Sequence, residues 1–353
     1  MKGRVIVLGQ IDGIEAAALM VDGRLEDLAL DHSHVMEFSP GAILRGRVER
    51  LMKGQGGAFL RLPDGATGFL RAKSGLREGQ TVLVQVSGAA EKGKALPLTS
   101  RLLLRGALVI ATPGAPGVNV SRSIRAPALR DELQQAAEDA LSALALGDSA
   151  PGIIIRSAAS DADIAEIEAE LTQLASLAAA IARDEDTAPA LLVDAPRPDE
   201  IAFADWITPP PGAVMREPGA FEQSGAEDAL RALRSPRIAL PGGASAMIEP
   251  TSALVAIDVN TGPDTSPAAS LKANIALIRD LPRQLRLRGL GGQVVIDFAP
   301  VSKRDRGTLE QEITKAFRRE SAETALPGWT RLGLFELTRK RDRAPLTAFL
   351  GEG

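Results

Sequence analysis

Two apolar stretches of the sequence each end near a carboxylate, and the polar residues there are of types that bind metal ions. The first, Ala253–Asn260, carries Asp258 and Asn260 near its end, and the second, Gln293–Phe298, carries Asp297. Runs rich in β-branched residues predict buried strands, and side chains alternate along a strand, which places Asp258 and Asn260 on one face. A helix-like segment and a Gly-Gly turn join the two runs, so we expect neighbouring strands whose three polar side chains converge at one edge of a sheet.

Two carboxylates and an amide oxygen form an all-oxygen set of the kind that suits Mg²⁺, which takes one or two carboxylates and keeps several waters. A magnesium ion held in this way orients a phosphodiester, activates water and stabilises charge in the transition state. The structural alternative is that each aspartate at a strand end caps the following turn. The spacing alone leaves both interpretations open.

The composition bounds the class of protein. A chain of 353 residues is long enough for two or three domains, and its lack of cysteine excludes disulfides and thiolate metal sites. The first residues are too weakly apolar for a signal peptide, and no run reaches the ~20 apolar residues that cross a membrane. We therefore expect a cytoplasmic protein without a membrane span.

Charge is distributed unevenly along the chain, although the overall net charge is only −4. Residues 41–105 carry a net charge of +8 and residues 279–353 a net charge of +5, whereas residues 106–278 carry −13. Local basic surface attracts phosphate more than overall charge does. The two basic regions are thus candidates for contact with nucleic acid, and the alternative is a solvated charged face.

The elements around these residues predict a mixed α/β architecture. Asp-Gly pairs at residues 12–13 and 22–23 predict two or three strands within residues 1–35. Residues 36–103 predict a five-stranded barrel such as an OB-fold, with strands at Ile43–Leu51, Gly57–Leu62, Gly68–Leu70, Thr81–Val86 and Ala95–Thr99. Periodicity and apolar runs beyond the barrel predict helices at Arg130–Leu146, Asp161–Arg183 (opening at Ser160), Pro267–Leu287 and Arg304–Arg319, and strands at Leu108–Ile110, Gly152–Ala158 and Trp329–Arg339. Prolines interrupt residues 186–233 repeatedly, and Ala190–Val193 is the only strand that we expect there.

Two pairs of residues in these elements are candidate contacts for nucleic acid. Phe59 and Phe69 lie on adjacent predicted strands of the basic barrel, where paired rings stack with single-stranded bases. The alternative places both rings in the barrel core. Arg156 and Ser157 end a predicted strand, where a cation and a hydroxyl are able to grip a terminal phosphate or serve a structural role.

Four motifs near the carboxylates resemble the catalytic core of the ribonuclease E/G family. They are Ala256–Gly262 (AIDVNTG), Arg283–Arg288 (RQLRLR), Leu290–Phe298 (LGGQVVIDF) and Thr330–Arg341 (TRLGLFELTRKR). The resemblance implies that Asp258 and Asp297 bind Mg²⁺ (with Mn²⁺ as an alternative) and that Asn260 holds Asp258 or the attacking water. We also expect positive residues near the site, such as Arg286 and Arg288, to steady the RNA backbone.

The resemblance extends to the barrel and the strand after it. Phe59, Phe69 and Lys94 match the positions at which the family contacts RNA. Arg156 and Ser157 match the family's sensor for a 5′-monophosphate, which usually carries Arg-Thr, and residues 119–122 resemble the loop beside that sensor.

The implied architecture is an RNase H-like layer, an inserted OB-fold barrel, a 5′-sensor α/β region and a DNase I-like catalytic domain. These correspond to residues 1–35 with about 186–233 (shortened in this chain), 36–103, 104–185 and 234–353. Pro282 departs from the family pattern, and we expect it to kink or split its helix.

We therefore expect a magnesium-dependent endoribonuclease that cuts single-stranded RNA to 5′-phosphate and 3′-hydroxyl ends, in rRNA maturation or mRNA turnover. An RNA-binding protein that keeps the fold without activity is the main alternative, and a metal-dependent phosphatase on small substrates is a third. Without cysteine, the family's Cys-Pro-x-Cys zinc link and its zinc-linked tetramer are not expected, whereas a homodimer is compatible with the sequence.

Overall fold

The computed structural model describes residues 2–52, 54, 56–71, 75–91, 93–145, 147 and 150–351. The chain divides into two compact units, of which the first comprises residues 1–23 and 29–221 and the second residues 24–28 and 222–353. Both units contain helices and sheets, as the mixed α/β prediction requires. In the described ranges, no helix combines the length and the apolar character that crossing a membrane demands.

The chain begins with three strands, β1 (Arg4–Ile11), β2 (Ile14–Val21) and β3 (Arg24–Leu30). Asp12 and Gly13 both have positive φ angles, of 51° and 80°, and Asp22 and Gly23 repeat the pattern with 49° and 78°. Positive φ at both central residues is the geometry of the two-residue hairpin turn that Asp-Gly favours. The hairpins predicted from the sequence are therefore confirmed.

A closed barrel follows, with strands β4 (Ile43–Met52), β5 (Gly57–Arg61), β6 (Thr67–Arg71), β7 (Thr81–Val86) and β8 (Leu96–Thr99). The strand order is β4-β5-β6-β8-β7, and β7 pairs again with β4. Leu44, Leu60 and Val84 are fully buried inside it. All five predicted strands are confirmed, and the closed five-stranded barrel is consistent with an OB-fold.

A second sheet carries β9 (Leu104–Arg105), β10 (Val109–Thr112), β11 (Gly117–Val120) and β12 (Gly152–Ile155), accompanied by α1 (Pro127–Ala143) and α2 (Ile164–Ala182). Both predicted helices exist, although Leu146, the predicted end of the first, lies outside the described residues. Helix α2 starts at Ile164 rather than at Ser160, because Ser157–Asp161 forms a separate 3₁₀ turn. Ile153, Ile155 and Leu171 belong to the buried cluster of this sheet and its helices.

The proline-rich stretch contains more regular structure than we predicted: β13 (Ala190–Val193), α3 (Pro198–Asp205), β14 (Ala213–Met215), α4 (Ala220–Ser224) and α5 (Ala226–Leu233). Strand β13, which was predicted, pairs with β4 beside the barrel, and β14 runs parallel to β1. Ala202 and Trp206 pack against Ile6 and Leu19, so α3 covers the N-terminal sheet.

The last sheet holds the predicted metal site. Its strands are β15 (Arg237–Ala239), β16 (Ser245–Pro250), β17 (Val255–Asn260), β18 (Gly292–Asp297), β19 (Thr324–Trp329) and β20 (Phe335–Arg339), and its helices are α6 (Pro267–Leu287), α7 (Arg306–Phe317) and α8 (Leu346–Leu350). The strand order is β15-β16-β17-β18-β20-β19. Strands β17 and β18 are parallel neighbours, as their connection by a helix predicts.

One prediction for this region is corrected, and one of the two outcomes expected at Pro282, a split helix, is excluded. The single strand expected at Trp329–Arg339 is a hairpin, because a turn at residues 330–334 intervenes and the Thr330 N–H donates to the Leu334 carbonyl at 2.7 Å. Helix α6 is not split at Pro282 but continues as one element to Leu287. Its buried face, which includes Leu277 and Leu281, packs in the core of the sheet and compensates for the hydrogen bond that proline cannot donate.

Candidate active site

The two aspartates predicted to bind a metal stand side by side at one end of the last sheet. Asp258 on β17 and Asp297 on β18 are register partners, and both are exposed. Their neighbours Ile257 and Ile296 are also register partners but point into the buried core. Since neighbouring strands lie about 4.8 Å apart, the two carboxylates extend side by side from the open face of the sheet.

Asn260 lies on the same face as Asp258 and binds it directly. The Asn260 side-chain N–H donates to Oδ2 of Asp258 at 2.7 Å. This bond fixes the orientation of the carboxylate while its Oδ1 has no hydrogen-bond partner in the described parts of the chain. The structure therefore brings together all three residues that the sequence predicted.

The donor set fits a divalent cation of the Mg²⁺ type. Neither Asp258 nor Asp297 forms an ion pair within the described residues. The same ranges contain no group of three or more His, Cys, Asp or Glu side chains placed to hold a metal. A metal at this edge would thus take two carboxylates from the chain and complete its shell with water or substrate, as Mg²⁺ does.

The loop that follows Asp297 is anchored by a residue that sequence analysis missed. Asn274 of α6 is fully buried; its amide group donates to the Ala299 carbonyl at 2.9 Å and accepts from the Ala299 N–H at 3.0 Å. Pairing of β18 with β20 ends at Ile296 and pairing with β17 ends at Asp297. Asp297 is therefore held by strand pairing on one side and by the Asn274 clamp two residues later.

The cations expected to steady a phosphate backbone are internal, which corrects the sequence-based prediction. Arg286 pairs with Glu26 at 2.8 Å and also with Glu320. Arg288 is 6% exposed and donates to the Ser235 carbonyl at 3.0 Å, and burial lowers its pKa to about 10. Glu26 and Ser235 are distant in sequence from these arginines, so the arginine-rich motif did not predict that they face inward.

The aromatic pair on the barrel is outside its core. Phe59 and Phe69 are register partners with ring centroids 5.2 Å apart, and both are half-buried. The alternating residues Ala58 and Leu60 fill the interior instead. The guanidinium of Arg50, which sequence analysis missed, lies 4.9 Å from the centre of the Phe59 ring. Two rings and a cation thus share the outer face, and the alternative that placed the rings in the core is wrong.

Lys94, the third residue predicted beside these rings, precedes β8 on the same barrel. Its ammonium group is exposed and pairs with Glu91 at 2.6 Å. Pro97 of β8 is the register partner of Phe69, which places Lys94 three residues along the chain from that position. An exposed ion pair of this kind contributes at most about 1 kcal/mol to folding stability.

Arg156 and Ser157 directly follow β12, which ends at Ile155 and is therefore shorter than the strand predicted to reach Ala158. Arg156 donates to the Gly106 carbonyl and pairs with Asp205 at 3.1 Å, and Arg105 pairs with the same carboxylate at 3.1 Å. Ser157 opens the 3₁₀ turn. A phosphate that reached Arg156 would have to take the place of Asp205.

Comparison with known proteins links this arrangement to one family. The model of the ribonuclease E/G family matches residues 103–215 and 212–342. Ribonuclease E of Nostoc sp. (strain PCC 7120) is 28% identical over 394 residues, which cover 96% of this chain and 56% of the relative. Ribonuclease E of Haemophilus influenzae is 28% identical, over 100% of this chain and 42% of the relative. Ribonuclease G of Escherichia coli (strain K12) is 25% identical, over 86% of this chain and 73% of the relative. The chain spans about half the length of the ribonuclease E relatives.

Proposed function

We propose, on the premise that this chain belongs to the ribonuclease E/G family, that it is an endoribonuclease that cleaves single-stranded RNA. The observation that carries the proposal is the side-by-side placement of Asp258 and Asp297 on an open sheet face, with Asn260 bonded to Asp258. Buried or paired carboxylates would serve the fold, whereas these are exposed and without a cationic partner in the described ranges. In-line attack by water at the scissile phosphate, with the 3′-oxygen as the leaving group, would leave 5′-phosphate and 3′-hydroxyl ends, and we propose that this cleavage serves rRNA maturation or mRNA turnover.

Asp258 and Asp297 would hold the metal, which we propose to be Mg²⁺, with Mn²⁺ as the alternative. When bound, such an ion supplies Lewis-acid activation of water and charge stabilisation at the scissile phosphate. Asn260 keeps one Asp258 oxygen occupied as an acceptor, so the other oxygen is presented in a fixed direction. The β17–β18 pairing and the Asn274 clamp limit movement of the second carboxylate.

The RNA strand would bind the outer face of the barrel. Phe59 and Phe69 offer ring faces for two bases, and Arg50 and Lys94 supply positive charge beside them. Stacking tolerates any base, because every base has a π-face. This surface therefore suits a single strand without strong sequence preference.

Arg156 and Ser157 would receive a 5′-monophosphate at the RNA end. The support is a guanidinium that donates to the Gly106 carbonyl and pairs with Asp205, a carboxylate that it shares with Arg105. We also propose the family's four-part layout for this chain, in which β14 and β1 (Arg4–Ile11) join residues 186–233 to the N-terminal layer.

The test is incubation of the purified protein with a 5′-labelled single-stranded RNA, with and without Mg²⁺. We expect internal cleavage only with the metal, and Asp297→Asn should bind the RNA like the parent without cutting it. Binding without cleavage by the parent would favour the inactive RNA-binding alternative. Parental cleavage rates by Asp297→Asn at limiting Mg²⁺ would remove that residue from the site.

A further inference from the structure

The register of the last sheet places one arginine in the same row as the two aspartates. Arg237 of β15 is the partner of Met247 on β16, Met247 is the partner of Asp258, and Asp258 is the partner of Asp297. Register partners point to the same face of a sheet. With strands about 4.8 Å apart, the Cα atom of Arg237 lies about 10 Å from that of Asp258.

Arg237 is also free to bind an anion. Its side chain is exposed, and it forms no ion pair within the described residues. The guanidinium groups of Arg286 and Arg288, by contrast, bind Glu26 and the Ser235 carbonyl inside the fold. Of these three arginines, only Arg237 faces the side from which a substrate reaches the aspartates.

We propose that Arg237 binds a backbone phosphate of the RNA beside the scissile phosphate and so sets the position of the strand across Asp258 and Asp297. The inference rests on the proposed function and adds a substrate-positioning residue to it. A guanidinium forms two parallel charge-assisted hydrogen bonds to a phosphate, which gives direction as well as attraction. The row Arg237-Met247-Asp258-Asp297 would then mark the path of the RNA across the strands.

Arg237 could instead protect the edge of the sheet, and this role has to be distinguished from phosphate binding. Strand β15 is three residues long and forms the edge of its sheet. A charged residue on an edge strand discourages pairing with another chain, and a charge of either sign serves that purpose. Charge reversal at Arg237 therefore distinguishes the two roles, since glutamate protects an edge but repels a phosphate.

The experiment compares Arg237→Gln and Arg237→Glu with the parent. The matched control is Lys340→Glu, which reverses an exposed charge just after β20, at the opposite end of the sheet from Asp297. We expect kcat/KM on a short single-stranded RNA to fall about tenfold in Arg237→Gln and further in Arg237→Glu. The slope of log kcat/KM against log salt should become less steep by about 0.7, the value for one lost contact to a single strand.

A second arm locates the phosphate. A set of RNAs is prepared in which each carries one uncharged methylphosphonate at a different position. The parent and Arg237→Gln should cut these RNAs at different rates except where the methylphosphonate replaces the phosphate that Arg237 binds, and at that position near the cut the rates of the two proteins should become equal. Two outcomes would overturn the inference and leave the proposed function standing. One is equal kcat/KM for the parent, Arg237→Gln and Arg237→Glu. The other is an Arg237→Glu variant that matches the parent while Arg237→Gln self-associates. A parent that neither binds nor cuts RNA would overturn both.

Discussion

Asp258 and Asp297 present two like charges on directly opposed positions of neighbouring strands. Like charges at this separation repel each other, and neither carboxylate forms an ion pair within the described residues. The arrangement carries an electrostatic cost, which a divalent ion bound between the two carboxylates would remove. An enzyme site often carries such a cost, because the groups that perform the chemistry are not those that would best stabilise the fold.

Metal binding should therefore be visible in stability as well as in activity. We expect Mg²⁺ to raise the unfolding midpoint of the parent, since a ligand that binds only the folded state stabilises it by RT ln(1 + [L]/Kd). Asp297→Asn, which removes one of the two charges, should be at least as stable as the parent in EDTA and should respond less to Mg²⁺. Urea titrations of both proteins measure this, and equal responses to Mg²⁺ would contradict the site.

The rings on the barrel should contribute to RNA affinity more than to folding. Phe59 and Phe69 are half-buried on the outer face, so Phe59→Ala and Phe69→Ala should each weaken single-strand binding by about 1–3 kcal/mol while the barrel still folds. Circular dichroism and thermal melting establish the fold, and fluorescence anisotropy with a labelled oligonucleotide gives the affinity. Phe59→Leu controls for apolar area without a ring face, and unchanged affinity in both alanine variants would place the RNA elsewhere.

The response to the RNA end depends on one arginine and one competing carboxylate. We expect RNA with a 5′-monophosphate to be cut about tenfold to a hundredfold faster than the same RNA with a 5′-hydroxyl, because a charge-assisted hydrogen bond contributes about 1.5–3 kcal/mol. Arg156→Ala should abolish the difference. Asp205→Asn should enlarge it, since Asp205 holds the Arg156 guanidinium at 3.1 Å. Equal rates of the parent on both RNAs would show that the chain does not sense the end.

At the scale of elements, the turns and strands that could be predicted from the sequence are those whose signals lie within a few neighbouring residues. The Asp-Gly turns, the barrel strands and the parallel pair β17–β18 follow from positive-φ turn residues, period-two patterns and a connecting helix. The hairpin within Trp329–Arg339 was missed because apolar Leu332 and Leu334 continue the strand-like pattern through the turn. The inward direction of Arg286 was missed because its partner Glu26 lies 260 residues away, and no local pattern records such a contact.

Helix α6 contributes to the site through a single buried amide. Replacing Asn274 by leucine keeps a similar volume but leaves the Ala299 N–H and carbonyl without their partner, which should cost about 1–3 kcal/mol of folding stability for each unsatisfied group. Because Ala299 lies two residues after Asp297, we also expect weaker binding of Mn²⁺, measured by calorimetry on the folded variant.

Ser302→Ala is the matched control for that experiment. It removes a 2.7 Å hydrogen bond to Asp305 from the same loop without touching Ala299. Parental Mn²⁺ affinity in a folded Asn274→Leu variant would limit Asn274 to a role in stability.

At the scale of the whole molecule, a segment near the N-terminus belongs to the second unit. Residues 24–28 fall in that unit although the residues on either side of them belong to the first. Asp27 pairs there with Arg343 at 2.6 Å and with Arg286 at 3.5 Å, and Arg339 pairs with Glu320 at 2.9 Å. The carboxylates and guanidiniums of this cluster are largely buried, so removal of one partner would leave a buried charge unpaired and destabilise the unit.

The pH dependence of unfolding should report this cluster. Burial raises the pKa of Asp27, but the charge and hydrogen bond of Arg343 and the charge of Arg286 outweigh it and hold that pKa below its ordinary value. A carboxylate with a lowered pKa stabilises the fold above its unfolded pKa, about 3.9, and this stabilisation is lost as the pH falls through the lower folded value. Asp27→Asn should therefore reduce stability most at neutral pH and progressively less below about pH 4. Urea unfolding of parent and variant between pH 3 and 7 measures the difference in their free energies of unfolding. Asp199→Asn is the control, because Asp199 belongs to an exposed ion pair. A difference that stays constant across this pH range would show that the charge of Asp27 is not what stabilises the cluster.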